Sequence, residues 1–426
     1  MIRRLQFIVP AVLAAASFSG CGGYVPVAAG DNFAYLYSKG AAAIRLEARV
    51  YQPAANEAVI YYKLRTADLL YKGAGGGGPY QARLVMGYQA YNPSDPKRLL
   101  DSASTFIKDE RMTPSEDKAL IGSMPLKVQG STPFLVRATV HDLNRNAEST
   151  LLLRVDRGSA ANGQTFIPIG ANSLPVFNDF VPPGTKLTVR AESHVGTILH
   201  AAHYPPITKL PAPVFADTPP PGTDGPPDST FTISVQADGT FSFTTGAEGF
   251  YHFRADTASA AGFTVFVSTG SFPEVTTGKD MAAPLRYITS TKEWESLSQA
   301  ADPRKEVERF WTDAAGSRDR AREAIAAYYG RVETANRYFS SYTEGWKTDR
   351  GLVHIIFGTP STIRMDESGE TWTYGDETNL MSMVFRFIRR NDPYSDNDLI
   401  LQRNPQFKSA WYRNVESWRN GRIVQN

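Results

Sequence analysis

With 426 residues, 42% of them hydrophobic and 21% charged, the chain can bury more than one core and is too apolar for a disordered polymer. A formal charge of +2, from 45 Lys and Arg against 43 Asp and Glu, excludes the concentrated basic surface of a general nucleic-acid binder, so no nucleic-acid partner is expected. The single cysteine excludes an internal disulfide framework and any cysteine-based metal cluster, since both need several sulfurs at fixed spacing.

That cysteine is Cys21. Arg3 and Arg4 precede an apolar run from Leu5 to Phe18, and Ser19-Gly20 then leads into it. The run is shorter than the roughly 20 residues of a spanning helix and is interrupted by Pro10, so residues 1–20 read as a secretory signal. Its end resembles the lipobox of bacterial lipoproteins, which implies lipidation of Cys21, cleavage before it and a membrane held through the lipid. Phe18 departs from the usual aliphatic residue. Residues 21–30, rich in Gly and Ala, then form a flexible tether. No acidic run follows the cysteine, which favours the periplasmic side of the outer membrane over surface exposure. Loss of residues 1–20 takes Arg3 and Arg4 with it and brings the formal charge to zero.

Over residues 31–157, short runs rich in β-branched and aromatic residues predict strands at 43–51, 58–64, 80–91, 126–128, 134–141 and 149–155, a β-sandwich-like domain. Ala43 to Tyr51 alternates with period two, as a strand buried on one face requires. A second β-rich domain over residues 160–275 carries expected strands at 186–192, 197–203, 230–236, 240–244, 249–254 and 262–268. Asp238-Gly239 predicts a hairpin between 230–236 and 240–244, because it supplies the positive φ of a tight turn. Residues 205–227, including Pro219-Pro220-Pro221, read as an extended proline-rich loop.

Beyond residue 280 charge becomes denser and all six tryptophans appear. Helices are predicted at 291–299, 304–311 and 319–342, the last with Ala321, Ala324, Tyr328, Val332, Ala335 and Phe339 on one stripe. Strands are predicted at 352–357, 370–374 and 383–388, and a terminal helix carries Trp411, Val415 and Trp418. The fold class is therefore multidomain: two all-β domains followed by an α+β domain over 280–426.

Between the long helix and the next apolar run stands Gly345-Trp346-Lys347-Thr348-Asp349-Arg350-Gly351, followed by Leu352-Val353-His354-Ile355-Ile356-Phe357-Gly358-Thr359-Pro360. Pro284 to Ile288, Phe310-Trp311, Tyr328 to Val332 and Ala335-Asn336 precede it in order, and Glu370 to Tyr374 follows. Together these residues resemble the GWxTD domain of bacterial lipoproteins, of Bacteroidota type, over about residues 284–375. The resemblance implies a cell-envelope location and β-rich N-terminal partners in the same chain, and brings no reaction with it.

The residues themselves read as structure. Gly345 suits a left-handed helix end, Trp346 an apolar wedge, Thr348 and Asp349 acceptors in a turn, Arg350 a salt bridge, and Gly351 a tight path into a strand that Gly358 and Pro360 end. A partner site built from this stretch, with His354, is the sharper alternative.

Known chemical patterns fit poorly. Gly73 to Gly78 mimics a dinucleotide loop but leads into Pro79 and a strand. His200 and His203, near Asp217, point to opposite faces of a strand. Asp392, Asp396 and Asp398 lack the rest of a calcium loop and balance Arg386, Arg389 and Arg390. Glu367 and Glu370 read as an exposed hairpin loop. No metal, cofactor or catalytic residue is assigned. The leading expectation is a non-enzymatic, membrane-anchored interaction component of the outer membrane or periplasm, with the β domains as spacer and the tryptophan-rich domain contacting an envelope protein. A glycan or peptidoglycan receptor and a hydrolase with dispersed carboxylates are the rivals.

Overall fold

A computed structural model describes residues 32–37, 44–73, 78–93, 95–112, 117–157, 162–178, 180–218, 222, 225–269, 271–390 and 392–423. The expected signal, Cys21 and the tether lie outside the described residues, as do 74–77 of the glycine run and 219–221 of the proline-rich loop.

The first β domain contains β1 (Leu46–Ala54), β2 (Glu57–Arg65), β3 (Lys72–Gly73), β4 (Tyr80–Asn92), β5 (Asp95–Arg111), β6 (Ala119–Leu126), β7 (Phe134–Asp142) and β8 (Ala147–Val155). One sheet runs β1-β2-β6. In the other, β4 pairs with β3, β5 and β7, and β7 pairs with β8. Alternate residues of β2, β4 and β7 face inward, and Ile60, Leu64, Leu84, Met86, Val136 and Val140 are fully buried between the sheets. Sequence reasoning missed β5 because its middle, Ser102 to Phe106, is exposed and carries no burial period. The strand expected at 126–128 instead lies earlier, where Ala119 to Leu126 pairs along β2.

In the second β domain, β9 (Ile167–Ile169), β10 (Phe180–Val181), β11 (Lys186–Arg190), β12 (Ile198–Tyr204), β13 (Ser229–Ser234), β14 (Thr240–Thr244), β15 (Gly249–Arg254) and β16 (Phe263–Val267) form two sheets, β10-β16-β15-β12-β13 and β14-β11-β9. Val189, Leu199, Phe241, Phe253 and Val267 fill the space between them. The expected hairpin is corrected. The turn does form, with Gly239 at φ +76° and the Gln236 amide donating to the Thr240 carbonyl at 2.8 Å. Yet β13 pairs with β12 and β14 with β11, so the chain crosses from one sheet to the other. Turn chemistry fixes the reversal; burial of Phe241 and Phe243 in the sandwich core fixes the partner.

The C-terminal domain opens with α1 (Gly278–Ala282), α2 (Thr291–Ser298), α3 (Pro303–Ala315) and α4 (Arg318–Phe339). It continues with α5 (Asp349–Phe357), the antiparallel strands β17 (Thr362–Asp366), β18 (Gly369–Tyr374), β19 (Met383–Arg389) and β20 (Leu399–Leu401), and α6 (Lys408–Arg419). The helices begin on their caps: Ser290 and Glu293 form a reciprocal capping box, and Asp302 precedes Pro303 at the first position of α3. Gly316, at φ +67°, ends α3. Trp311, Trp346, Trp372, Trp411 and Trp418 are buried in this core, so the concentration of tryptophan is a packing feature rather than an exposed docking surface.

The largest correction concerns 352–357, which is helix and not strand. A short unbroken apolar run has no period to read, and here it is apolar all round because α5 is buried all round. Thr348 decides the outcome locally, since its hydroxyl accepts the Gly351 amide at 3.1 Å as an N-cap. Phe339 of α4 lies 5.7 Å from the His354 ring on one side, and Phe385 of β19 lies 5.1 Å from Phe357 on another.

Two segments far away in sequence complete this core. Residues 32–37, expected in the first β domain, dock here instead: Phe33 and Tyr37 are buried, the Phe33 amide donates to the Ile363 carbonyl at 2.8 Å, and Tyr37 stacks edge-on against Phe339. Tyr35 reaches the other way, its hydroxyl donating to the Thr150 carbonyl on β8 at 2.9 Å. The first part of the proline-rich loop is likewise a strap. Val214 is fully buried against the C-terminal core with Leu210 and Phe215 beside it. Ile207 joins Tyr342 and Phe250 of β15 in a small aromatic cluster that couples the second β domain to the third.

Candidate functional site

The motif is a nested set of close approaches. Gly345 does not end α4, which stops at Phe339; it starts a single 3-10 turn pressed onto the helix, where a Cβ would come 1.8 Å from the Ala335 carbonyl oxygen. Gly351 is pressed in turn onto Gly345, and a Cβ there would lie 1.9 Å from its carbonyl oxygen. Neither position tolerates a side chain unless backbone moves. Asn336 of α4 fixes the register by accepting the Trp346 amide at 3.2 Å, while the Tyr287 hydroxyl donates to the Trp346 carbonyl at 2.8 Å.

The charges of Asp349 and Arg350 are consumed internally. Asp349 accepts from Arg403 (Nη1 at 3.0 Å) and from the Leu401 amide at 2.8 Å, and its side chain and that of Arg403 are only 2% and 7% exposed. Burial pushes the Asp349 carboxyl above its ordinary value, and Arg403 and the Leu401 amide pull it back. Arg350 bonds Glu370 at 2.6 Å and the Asn397 carbonyl at 2.7 Å, and lies over the Phe339 ring. Glu370 is therefore buried, not part of an exposed loop. It also accepts from Trp372 Nε1 at 2.7 Å and from the Tyr37 hydroxyl at 3.2 Å. Glu367 remains exposed.

The C-terminal end of α5 is closed by Arg331, which donates to the Ile355 and Ile356 carbonyls and stacks on Trp418 at 4.9 Å. A guanidinium there meets the negative end of the helix. Burial lowers its pKa to about 10. Gly358, at φ +86°, leaves it room, and Tyr374 donates to the Gly358 carbonyl at 2.7 Å. Pro360 follows and is buried. His354 sits at the centre of α5, 2% exposed, with Nδ1 lacking a hydrogen-bond partner among the described residues. Burial lowers its pKa to about 3, with Arg331 adding to the effect.

The motif also holds the strap. Lys347 Nζ donates to the Ile207 carbonyl at 3.0 Å, and Arg403, already paired with Asp349, donates to the Ala212 carbonyl at 3.1 Å. The strap so fixed forms one wall of an open cleft of about 1020 Å³, with the turn at Arg286 to Ser290 and α6 as the others and Leu352 of α5 as its floor. Sequence reasoning did not find this cleft, because its walls are separated by about 75 to 200 residues. The one available signal was the scatter of apolar residues among the prolines.

The remaining candidates stay apart. His203 is buried, with Nδ1 2.6 Å from Asp228, while His200 is exposed on the opposite face of β12. Asp398 and Asp392 pair with Arg390, and Arg389 donates to the Asp396 carbonyl. Among the described residues there is no group of three or more metal-ligating side chains, and no helix is long and apolar enough to cross a membrane.

Two outcomes follow. Gly345→Ala and Gly351→Ala each lower stability by about 3 kcal/mol through overpacking, read as a fall of roughly 6–12 °C in the tryptophan-detected melting temperature; unchanged melting contradicts the nesting. For His354, the unfolded ring takes up a proton near pH 6.5 and the folded ring only near 3. Its contribution is thus whole above pH 6.5 and falls by about 1.4 kcal/mol per unit below it. Between pH 7 and 5 the protein loses about 2 kcal/mol that His354→Leu does not lose, as denaturant titrations at both pH values measure.

Comparison with known proteins fits this geometry. No curated protein sequence matches the chain. Among solved structures, red sea bream transglutaminase aligns at a TM-score of 0.19 and 11% identity over 53% of this chain and 31% of that one, so the chain spans under a third of its length and the likeness supports no argument. A family model, that of the GWxTD domain, matches residues 249–420. The match begins at β15, whose Phe250 packs on Tyr342 and Tyr394 of the C-terminal domain. By that match and the interlocked motif at its centre, residues 249–420 form a GWxTD domain.

Proposed function

We propose that this protein is a membrane-anchored, non-catalytic interaction component of the cell envelope, held in the outer membrane by lipid on Cys21 and facing the periplasm. The observation that carries the reading is the docking of residues 32–37 in the GWxTD core. Only ten residues, 22–31, separate Cys21 from Asn32, a reach of about 40 Å at full extension. Tyr37 meets Glu370, the partner of Arg350, so an anchor at Cys21 is tied to the GWxTD domain although more than 200 residues lie between them in sequence. The expected order then reverses: the GWxTD domain stays near the membrane, and the two β domains project as the contact surface for an envelope protein. Internal pairing of Asp349 and Arg350 supports a structural rather than catalytic role for the motif.

In cells, Cys21→Ala leaves the protein unlipidated and released from the membrane fraction. Crosslinking of the wild-type protein, followed by capture from detergent-solubilised membranes, recovers one envelope protein with links to the β domains. An unmodified but membrane-bound Cys21→Ala protein, or links confined to the GWxTD domain, contradicts the reading.

A further inference from the structure

The cleft beneath the strap has an uneven chemistry. Its walls are apolar, from Leu210, Pro211 and Pro213 of the strap, Leu352 of α5, and Trp411 and Val415 of α6. Its volume of about 1020 Å³ is at the top of the range for small-molecule sites, about 300–1000 Å³.

The polar groups along it are mostly engaged. The Ser290 hydroxyl caps α2, the Thr289 hydroxyl donates to the Leu285 carbonyl at 2.9 Å, and the Ser417 hydroxyl donates to the Arg413 carbonyl at 2.9 Å. Arg419 grips Glu293 with both Nη atoms and holds that carboxyl down to about 2. Glu416 accepts from Asn420 at 2.9 Å. Arg286 gives one bond, to the Thr289 carbonyl at 3.3 Å, and Arg413 stands exposed on the rim. An occupant is therefore offered apolar surface and, among the lining side chains, the guanidinium groups of Arg286 and Arg413, with the Glu416 carboxylate engaged by Asn420.

An extended peptide is a poor occupant, since it gains affinity through main-chain bonds and the two prolines of the strap carry no N–H. A hydrocarbon chain needs no such partner, and a carboxylate or phosphate at its end complements the rim. We propose that this cleft binds an acyl amphiphile with an anionic head group, the chain lying between strap and α6 and the head at Arg286 and Arg413. The site is formed by described residues alone and is independent of the state of Cys21.

The test uses the chain from residue 22 onward, unlipidated, titrated with the fluorescent fatty acid cis-parinaric acid, then competed with palmitate and with uncharged hexadecanol. The expected result is saturable one-to-one binding, with about fourfold weaker competition for each methylene removed from the fatty acid, the equivalent of about 0.8 kcal/mol per methylene. Val415→Asp weakens binding at least tenfold. Arg413→Glu, on the exposed rim and so compatible with folding, weakens palmitate about tenfold and hexadecanol less than twofold. Absence of saturable binding overturns the proposal, as does binding indifferent to Val415→Asp in a protein with native tryptophan emission. Equal loss of acid and alcohol in Arg413→Glu overturns the anionic head group.

Discussion

The C-terminal domain depends on burying a helix that carries charge. Helix α5 is surrounded on every side, yet its first two residues are Asp349 and Arg350. Two charges leave water together at a cost of several kcal/mol each, and only close partners offset it. Arg403 meets Asp349 from the chain beyond β20, and Glu370 meets Arg350 from β18. Those two pairs fix where the sheet and the following loop stand relative to the helix. The glycines at 345 and 351 follow from the same constraint, since the turn before α5 must lie flat on α4 for Asp349 to reach its partner.

Other elements attach to this centre. Arg331 closes the far end of α5 and carries Trp418 of α6 with it. Arg403 and Lys347 draw in the strap, and Glu370 receives Tyr37 from the start of the described chain. The cleft between strap and α6 is thus an indirect product of the motif, shaped by residues that never line its walls. Residues 32–37 and the cleft belong to one domain, which makes the GWxTD domain the hub of the described molecule.

Much of the fold was legible in the sequence wherever burial left a period. Strands β2, β4, β7 and β14, the stripe on α4 and the face of α6 were readable because each buries one side or alternates, and the fully buried β15 and β16 from their aromatic and β-branched content between turn residues. Legibility failed at α5 and β5. Leu352 to Phe357 is buried on all sides and β5 on neither in its middle, so one was misread and the other missed. Long-range placement was also invisible: nothing within Asn32 to Tyr37 or Ile207 to Phe215 says that a domain beginning near residue 280 will bury them. The turn-forming role of Thr348 and the salt bridge of Arg350 were legible from residue type, but the placing of Gly345 and Gly351 and the partners of Asp349 and Arg350, 54 and 20 residues away, required the fold.

A double-mutant cycle on Asp349→Ala and Arg403→Ala tests the central claim most directly, with stability read from tryptophan fluorescence in denaturant. Each single change should cost about 3–5 kcal/mol by leaving the other charge buried and unpaired. The double variant should be less destabilised than the sum of the two by about 2–3 kcal/mol. Losses that add to within about 0.5 kcal/mol would mean that the two residues do not share one buried interaction, and the account of the domain built around it would fall.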